Sequence, residues 1–507
     1  MPGLTAGLNI GLSGLTAAQS ALDVIGHNIA NVNTPGYSRQ IAQMGTAGSS
    51  MFGGLVYGTG VNLQAIQGIR DQLLDLQITV STAQQSGAQA RYQGLQAISS
   101  VFAEDGTSGI SSQLNAFFTS LQKVAAQPED SALRTNLVGT AQNLISTLQT
   151  KYQSLRAAQT SADQQVAALV PTVNTLTAQI AALNKKLAGE VNPTQDNTII
   201  DQRQDLANQL AKIVGIQTYI DGKGQMNINL DGGAAPLVIG GTAYTMTAVQ
   251  NNAAPATAPF YNNVMVSLGG TPPFTDVTSA ITNGQLGAQL DLRDNLIAGY
   301  EKQMDELAAG LAYNINVLNS SGYSLDGVQH NLDFFQNASG NTSHLPSAIQ
   351  VPPDVPPQVA ANDYKGMVLA LSVNAAIVAN PSLFAASSTG AAGDTQNAQA
   401  MVALQTSAST VDTTGAGPAG AVTGPFSTFV TGLVTKAGTD ASQWKITSTN
   451  VENITTALTT QRDSISAVDL DTEAANLITY QRGYQASARF VSVISQLTEQ
   501  LINNLGV

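Results

Sequence analysis

The chain contains no cysteine, so disulfides and thiolate metal sites are excluded. Charge is scarce as well. Lys, Arg, Asp and Glu together make up 10% of 507 residues, against about 25% in ordinary soluble chains. Basic residues are the scarcer sign, 20 against 33 acidic, giving a formal net charge of −13 and a pI near 4.5. Twenty Lys and Arg spread thinly cannot neutralise a run of phosphates, which argues against nucleic-acid binding and against a polybasic membrane patch. No uninterrupted apolar run approaches the ~20 residues of a bilayer span. No Lys or Arg precedes Arg39 and the first charged side chain is Asp23, so the basic start of a secretory leader is missing. The chain is therefore expected to be either cytosolic or exported by a route that keeps its N-terminus.

Ala, Gln, Asn, Ser and Thr replace the missing charges, while 43% of residues are hydrophobic. Such a surface is wettable but repels other copies weakly, which suits a subunit that packs against neighbours. The length suggests about three domains.

The two ends share a design that the middle lacks. Leu8, Leu15, Leu22 and Ile29 recur every seven residues, with Ala18, Ile25 and Val32 at the alternate heptad position and Leu4 and Leu12 beside them. This is the seam of a helix that winds along a partner. It should stop where Asn31, Asn33 and Thr34 lead into Pro35-Gly36. Near the C-terminus Leu477, Tyr484, Val491 and Leu505 hold one heptad position, and Tyr480, Ile494 and Leu501 the other. Asp469 or Asp471 is a plausible cap. A few apolar seam residues do not offset the backbone entropy of ordering a long terminal helix. Both ends are therefore expected to be mobile in the free monomer and to become helical when sister copies surround them.

Between the ends, helices are expected at 71–101, 110–126, 131–190 with a kink at Pro171, 198–214, 284–319 and 425–465. Short strands are expected at 216–220, 226–230, 237–239, 244–249 and 264–268, punctuated by Asp221-Gly222, Gly232-Gly233 and Gly240-Gly241. Residues 320–366 read as irregular, 367–379 as a possible strand, and 386–395 and 409–424 as linkers. The fold class is mainly α with a smaller β-rich portion, long terminal helices forming a coiled-coil-like bundle. Residues 1–70 with 466–507 form the terminal region. Residues 71–335 with 393–465 form a helical middle domain containing the β-rich segment 215–282, and 336–392 is an insertion.

Candidate chemistry is thin. His27 is one of three histidines and is read as a helix-end residue among Asn28, Asn31 and Asn33, not as a metal ligand. Asp201, Arg203 and Asp205 are read as a solvated helix face or local ion pair. Gly284-Gln285-Leu286-Gly287 has no Gly-Lys-Ser/Thr after it and is not a phosphate loop. No nucleophile stands with a base and an orienting group. No cofactor and no catalytic residue is expected.

The stretch Gly26-His27-Asn28-Ile29-Ala30-Asn31-Val32-Asn33-Thr34-Pro35-Gly36-Tyr37-Ser38-Arg39-Gln40 resembles the N-terminal signature of flagellar rod, hook and hook-associated proteins. Asp469 to Ile478 and Tyr480 to Arg489 are similar to that family's C-terminal helix. Ile200 to Leu206, Gly284 to Asp294, Leu311 to Asn316, Gly322 to Gly327 and Gly393 to Ala398 resemble interior segments of its hook–filament junction members, with Thr395-Gln396 a departure. The resemblance implies a structural subunit, exported unfolded through the flagellar type III apparatus without cleavage. It implies self-assembly as a ring at the distal end of the hook, between hook protein below and hook-associated protein 3 above. A cytosolic export chaperone binds the C-terminal helix of relatives, and residues 470–505 match that region. Residues 336–392 are too few for the outer β domain of well-known relatives, so a reduced or absent one is expected. The other readings are a rod, hook or other hook-associated subunit, a secreted peptidoglycan hydrolase, and a secreted adhesin or type III effector.

Overall fold

A computed structural model describes the chain apart from residues 1, 53–54, 105, 107, 190–195, 252–260, 268–273, 337–365, 408, 413–420 and 506–507. The chain opens with α1 (Pro2–Ala30) and closes with α12 (Leu470–Leu505). After α1 an extended ribbon runs out and back as β1 (Gln40–Thr46), β2 (Ser49–Phe52), β3 (Leu55–Gly58) and β4 (Val61–Gly68). β1 pairs with β4 and β2 with β3, both antiparallel, with a register shift between Gln43 and Met44. No strand was expected there. Gln40–Thr46 alternates poorly between apolar and polar, and a two-stranded ribbon needs only one half-covered face.

The helical body follows as α2 (Gln72–Val101), α3 (Ile110–Ala126), α4 (Ser131–Ala188) and α5 (Asn197–Ile213). Asp71, Asp130 and Asp196 cap α2, α4 and α5, their carboxylates accepting otherwise unpaired N–H groups of the first turn. Then the period changes to two. β5 (Ile216–Ile220), β6 (Met226–Leu230), β7 (Pro236–Ile239) and β8 (Thr242–Ala243) form a meander. β9 (Met246–Gln250), β10 (Asn262–Ser267) and β11 (Phe274–Asp276) form a second sheet in the order β11-β10-β9. Helix returns in α6 (Gly284–Asp291) and α7 (Ile297–Ser321), joined by a π turn at Leu292–Leu296 where Arg293 is held by Asp163 and Asp294, each at 2.7 Å.

β12 (Phe335–Gln336) pairs with β13 (Ser372–Val373), which lies between the short helices α8 (Met367–Ala370) and α9 (Ala375–Ala379). The strand expected over 367–379 is thus mostly helix: Asn374 caps α9 and leaves only a two-residue strand. α10 (Gln396–Ala403) precedes β14 (Ser409–Asp412) and β15 (Ala421–Gly424), a paired hairpin where a linker was expected. α11 (Phe426–Ser466) then lies along α2, with Arg91 stacked over Trp444 at 4.8 Å. Of the insertion at 336–392, residues 337–365, on which the expectation of a reduced or absent outer domain falls, lie outside the described residues.

α4 is the spine. Its first half, Leu137 to Ala162, joins α3, α7, α11 and the Phe334–Phe335–Phe384 cluster in one core. Its second half, Val166 to Ala181, joins α5, α6 and both sheets in another. The helix runs through Pro171, which costs one backbone hydrogen bond. α4 also contains an 18-residue stretch of mean hydropathy 1.5. One helix therefore does meet the length and apolarity of a bilayer span, contrary to the expectation from uninterrupted runs. Ala, Val and Leu interleaved with uncharged polar residues raise the average without forming a run, and here they line the two cores.

Candidate assembly site

Glycine decides how the ends meet. α1 and α12 lie antiparallel, with Gly7 against Ile494, Gly11 against Val491 and Phe490, and Gly14 against Ser487. A Cβ on Gly11 would sit 2.7 Å from Val491 Cγ2 and 2.9 Å from Phe490 Cδ1, closer than carbon atoms pack. Gly11, Ala17, Ala18, Ala21, Val24, Ile25 and Asn28 form the buried stripe of α1, which also lies on β1 and β4. Of the seam positions expected from leucine spacing, Ala18 and Ile25 lie in this buried stripe. The heptad holds, but the intramolecular contact uses the small residues beside it.

The leucine stripe faces outward. Leu8, Leu15 and Leu22 are half-buried, and Leu12 and Ile29 are 45% and 36% exposed. Of the alternate positions, Ile25 is buried inside the chain, whereas Val32 lies in the turn beyond α1. On α12, Leu477, Tyr480, Val491 and Ile494 are half-buried, and Tyr484 and Leu501 are exposed. The side chain of Leu505 lies outside the described residues. Ile478, Phe490, Val493, Leu497 and Ile502 are exposed too, so the paired helices carry an apolar surface around a polar-poor contact.

The motif after α1 builds a lock at the base of this pair. Thr34-Pro35-Gly36-Tyr37 closes with Tyr37 N–H donating to the Thr34 carbonyl, Pro second and Gly36 third with φ +80°. That is the residue order of a type II turn, whose third position favours glycine. Asn31 caps the end of α1 by donating to the His27 carbonyl and accepting from Thr34 Oγ1. Asn33 is exposed.

The turn swings Tyr37 and Gln40 back onto Asn28, which is 1% exposed. Asn28 Oδ1 accepts from Tyr37 Oη at 2.7 Å and Gln40 N–H at 2.9 Å. Its Nδ2 donates to the Gln40 carbonyl at 2.8 Å and to Glu473 Oε2 at 3.2 Å. Both donors and both lone pairs of the amide are used. Because the Tyr37 hydroxyl donates to Asn28, it accepts from His27, whose Nδ1 lies 2.9 Å away. Burial, with the carboxylates of Asp201 and Glu473 nearby, pushes the Tyr37 phenol up to about 12. Glu473, buried on the first turn of α12, pairs with Arg39 at 2.7 Å, and Arg39 N–H donates to the Ser466 carbonyl. Asp469 caps α12, accepting from Asp471 N–H and Thr472 Oγ1.

A second knot ties this base to the body. Asp201 of α5 accepts from Ser38 N–H at 3.0 Å, Ser38 Oγ at 2.8 Å and Arg70 Nη2 at 2.8 Å. Asn197 adds bonds to the backbone of Ile66 and Gly68. The solvated-face reading of Asp201 and Arg203 is therefore wrong. Asp201 is 9% exposed and Arg203 2%, because Ser38 and Arg70 at the ribbon's base cover the one, and Asn184 and the β5–β6 turn cover the other. Spacing on one helix carries no information about what a distant segment lays over it. Of the three, Asp205 alone stays local, accepting from Gln209.

Among the described residues no group of three His, Asp or Glu side chains is arranged to hold a metal. The lock binds segments of this chain to one another.

The matches of the chain follow its anatomy, paired terminal segments on a helical body. Residues 8–37 match the flagella basal body rod protein family, and residues 460–505 the flagellar basal body rod FlgEFG protein C-terminal family. Residues 95–335 match the flagellar hook-associated protein FlgK helical domain. Flagellar hook-associated protein 1 of Escherichia coli K12 is 28% identical over 98% of this chain and 99% of its own length. That of Bacillus subtilis is 27% identical over 99% and 98%. The flagellar hook junction protein FlgK from Burkholderia pseudomallei shares the fold with a TM-score of 0.62 at 18% identity, over 77% of this chain and all of that one. Over nearly its whole length the chain is thus similar to flagellar hook-associated protein 1.

Proposed function

We propose that this chain forms the junction ring at the distal end of the hook and adapts hook to filament. The observation that carries the reading is the outward apolar stripe on the joined termini. Leu12, Ile29, Ile478, Val493, Leu497 and Ile502 are exposed on two helices already paired through Gly7, Gly11 and Gly14. Each would contribute about 1.5–3 kcal/mol if fully buried. Neighbouring axial subunits supply that burial: sister copies around the ring, hook protein below and hook-associated protein 3 above. Leu8, Leu12, Leu15, Leu22 and Ile29 on α1, with Tyr484 and Leu501 on α12, are the inter-subunit contacts. The pair becomes rigid only when covered, and then forms the inner wall of the tube. Before assembly the same stripe on α12 is the ligand of a cytosolic export chaperone. Export keeps the N-terminus and delivers the chain outside the cell. Deleting the gene tests the assignment: hooks without filaments, and filament protein shed into the medium, are expected. Normal filaments would overturn it.

A further inference from the structure

Between the β5–β6 hairpin, the start of α2 and α5 lies a cleft of about 550 Å³. Arg203 lines it from α5. Its Nη1 donates to Asn184 Oδ1 at 3.0 Å and to the Gly224 carbonyl at 2.8 Å, while its Nε has no hydrogen-bond partner. Among the described residues no carboxylate lies within ion-pair distance of it, although Asp201 two positions earlier is fully engaged with Ser38 and Arg70. A desolvated guanidinium with no carboxylate bonded to it is unfavourable: burial, and then the charge of Arg70, lower its pKa to about 10, against a smaller opposing effect of the Asp221 carboxylate. Two other charged groups face the cleft. Arg70 is matched by Asp201, and the carboxyl of Asp75 is pushed up by burial.

The rim indicates what kind of molecule carries the missing charge. Leu76, Tyr219 and Ile220 line the mouth and are exposed. β5, which supplies Tyr219 and Ile220, is an edge strand that pairs only with β6 among the described residues. A free small carboxylate would leave those apolar side chains and that strand edge uncovered. An extended chain covers both. We propose that the cleft receives an acidic polypeptide segment, whose Asp or Glu carboxylate accepts from Arg203 while its flanking residues lie over Leu76, Tyr219 and Ile220. The inference stands independently of where in the flagellum the subunit sits.

Titration of the full chain with two capped peptides, acetyl-Val-Glu-Val-amide and acetyl-Val-Gln-Val-amide, tests it, with free glutarate as the third probe. The Glu peptide is expected to bind at least tenfold more tightly than the Gln peptide, and glutarate at least tenfold more weakly than the Glu peptide. Arg203→Met should abolish the difference between the peptides. Because Arg203→Met also removes two internal hydrogen bonds, Tyr219→Asp on the exposed rim is the second variant. It should weaken the Glu peptide selectively without altering the melting temperature. Equal binding of both peptides, no saturable binding, or indifference to Tyr219→Asp would overturn the proposal. Glutarate binding as tightly as the Glu peptide would overturn the polypeptide assignment.

Discussion

Asn28 and Gln40 exchange two hydrogen bonds, the side-chain amide of one pairing with both backbone groups of the other at 2.9 and 2.8 Å. The pairing imitates a strand neighbour at the start of β1 and leaves Nδ2 one further bond, taken by Glu473. Only a neutral amide can face a carbonyl, an N–H and a carboxylate at once. Asn28→Asp would set a buried carboxylate against the Gln40 carbonyl and Glu473. A loss of roughly 3–5 kcal/mol is expected for the lock, the cost of an unpaired buried charge. Limited proteolysis at 467–469 should become rapid while the cores around α4 stay intact.

Gly11 tests the contact between the ends. Gly11→Ala gains helix propensity of up to about 1 kcal/mol, but its methyl would lie 2.7 Å from Val491. Overpacking of this kind costs about 1–3 kcal/mol, so net loss is expected. Combining it with Val491→Ala should recover most of the loss in a double-mutant cycle read by thermal denaturation.

Leu12→Asp separates folding from assembly. Leu12 is 45% exposed and its replacement should change the stability of the free chain by no more than about 0.5 kcal/mol. Capping of hooks in a deletion strain should nonetheless fail. Wild-type motility with this variant would remove Leu12 from the interface.

Amide exchange of the free chain should be graded along α1. The first two turns, at the end of the pair where Gly7 meets Ile494, should exchange within seconds, while Asn28 to Gln40 should be slow. Uniform protection across residues 2–40 would contradict a pair that becomes rigid only on assembly.

Asp305 gives a pH signature. The buried carboxyl accepts from Gly366 N–H at 2.8 Å, Val368 N–H at 2.9 Å and Tyr152 Oη at 3.1 Å. Burial outweighs these bonds and raises its pKa from 3.8 to about 6. In the window between those values the native state holds the proton and the unfolded chain does not. Stability from this group is therefore full below pH 4 and lost as pH rises through 6, by on the order of 2–3 kcal/mol. The difference in denaturation free energy between wild type and Asp305→Asn should change by that amount between pH 4 and 7. A flat difference would remove Asp305 from the account.

Periodicity carried the helical body because α2 to α5 are long, capped by Asp71, Asp130 and Asp196, and amphipathic by themselves. The same signal placed the terminal helices, but the face on which they meet each other is carried by Gly7, Gly11 and Gly14, which any hydrophobic scale passes over in favour of Leu8, Leu15 and Leu22. A close helix contact is written in small residues, and these look neutral in sequence. The ribbon at 40–68 escaped notice because its partners are each other and the flank of α1. Asp201 and Arg203 looked solvent-facing because their covers, Ser38, Arg70 and Gly224, lie far away or in a turn. The motif residues Asn28, Pro35, Gly36 and Tyr37 were visible as a cluster, but their common centre became apparent only with the fold of the turn.

The bond from Asn28 to Glu473 spans 445 positions. No fragment lacking the last few dozen residues can make it, and closing so long a loop draws on contacts formed beforehand. Completion of the molecule is thus registered at one buried amide. A subunit truncated at its tail keeps its helical body yet leaves Asn28 facing an empty place, so a foot that is firmly set marks a chain that arrived whole.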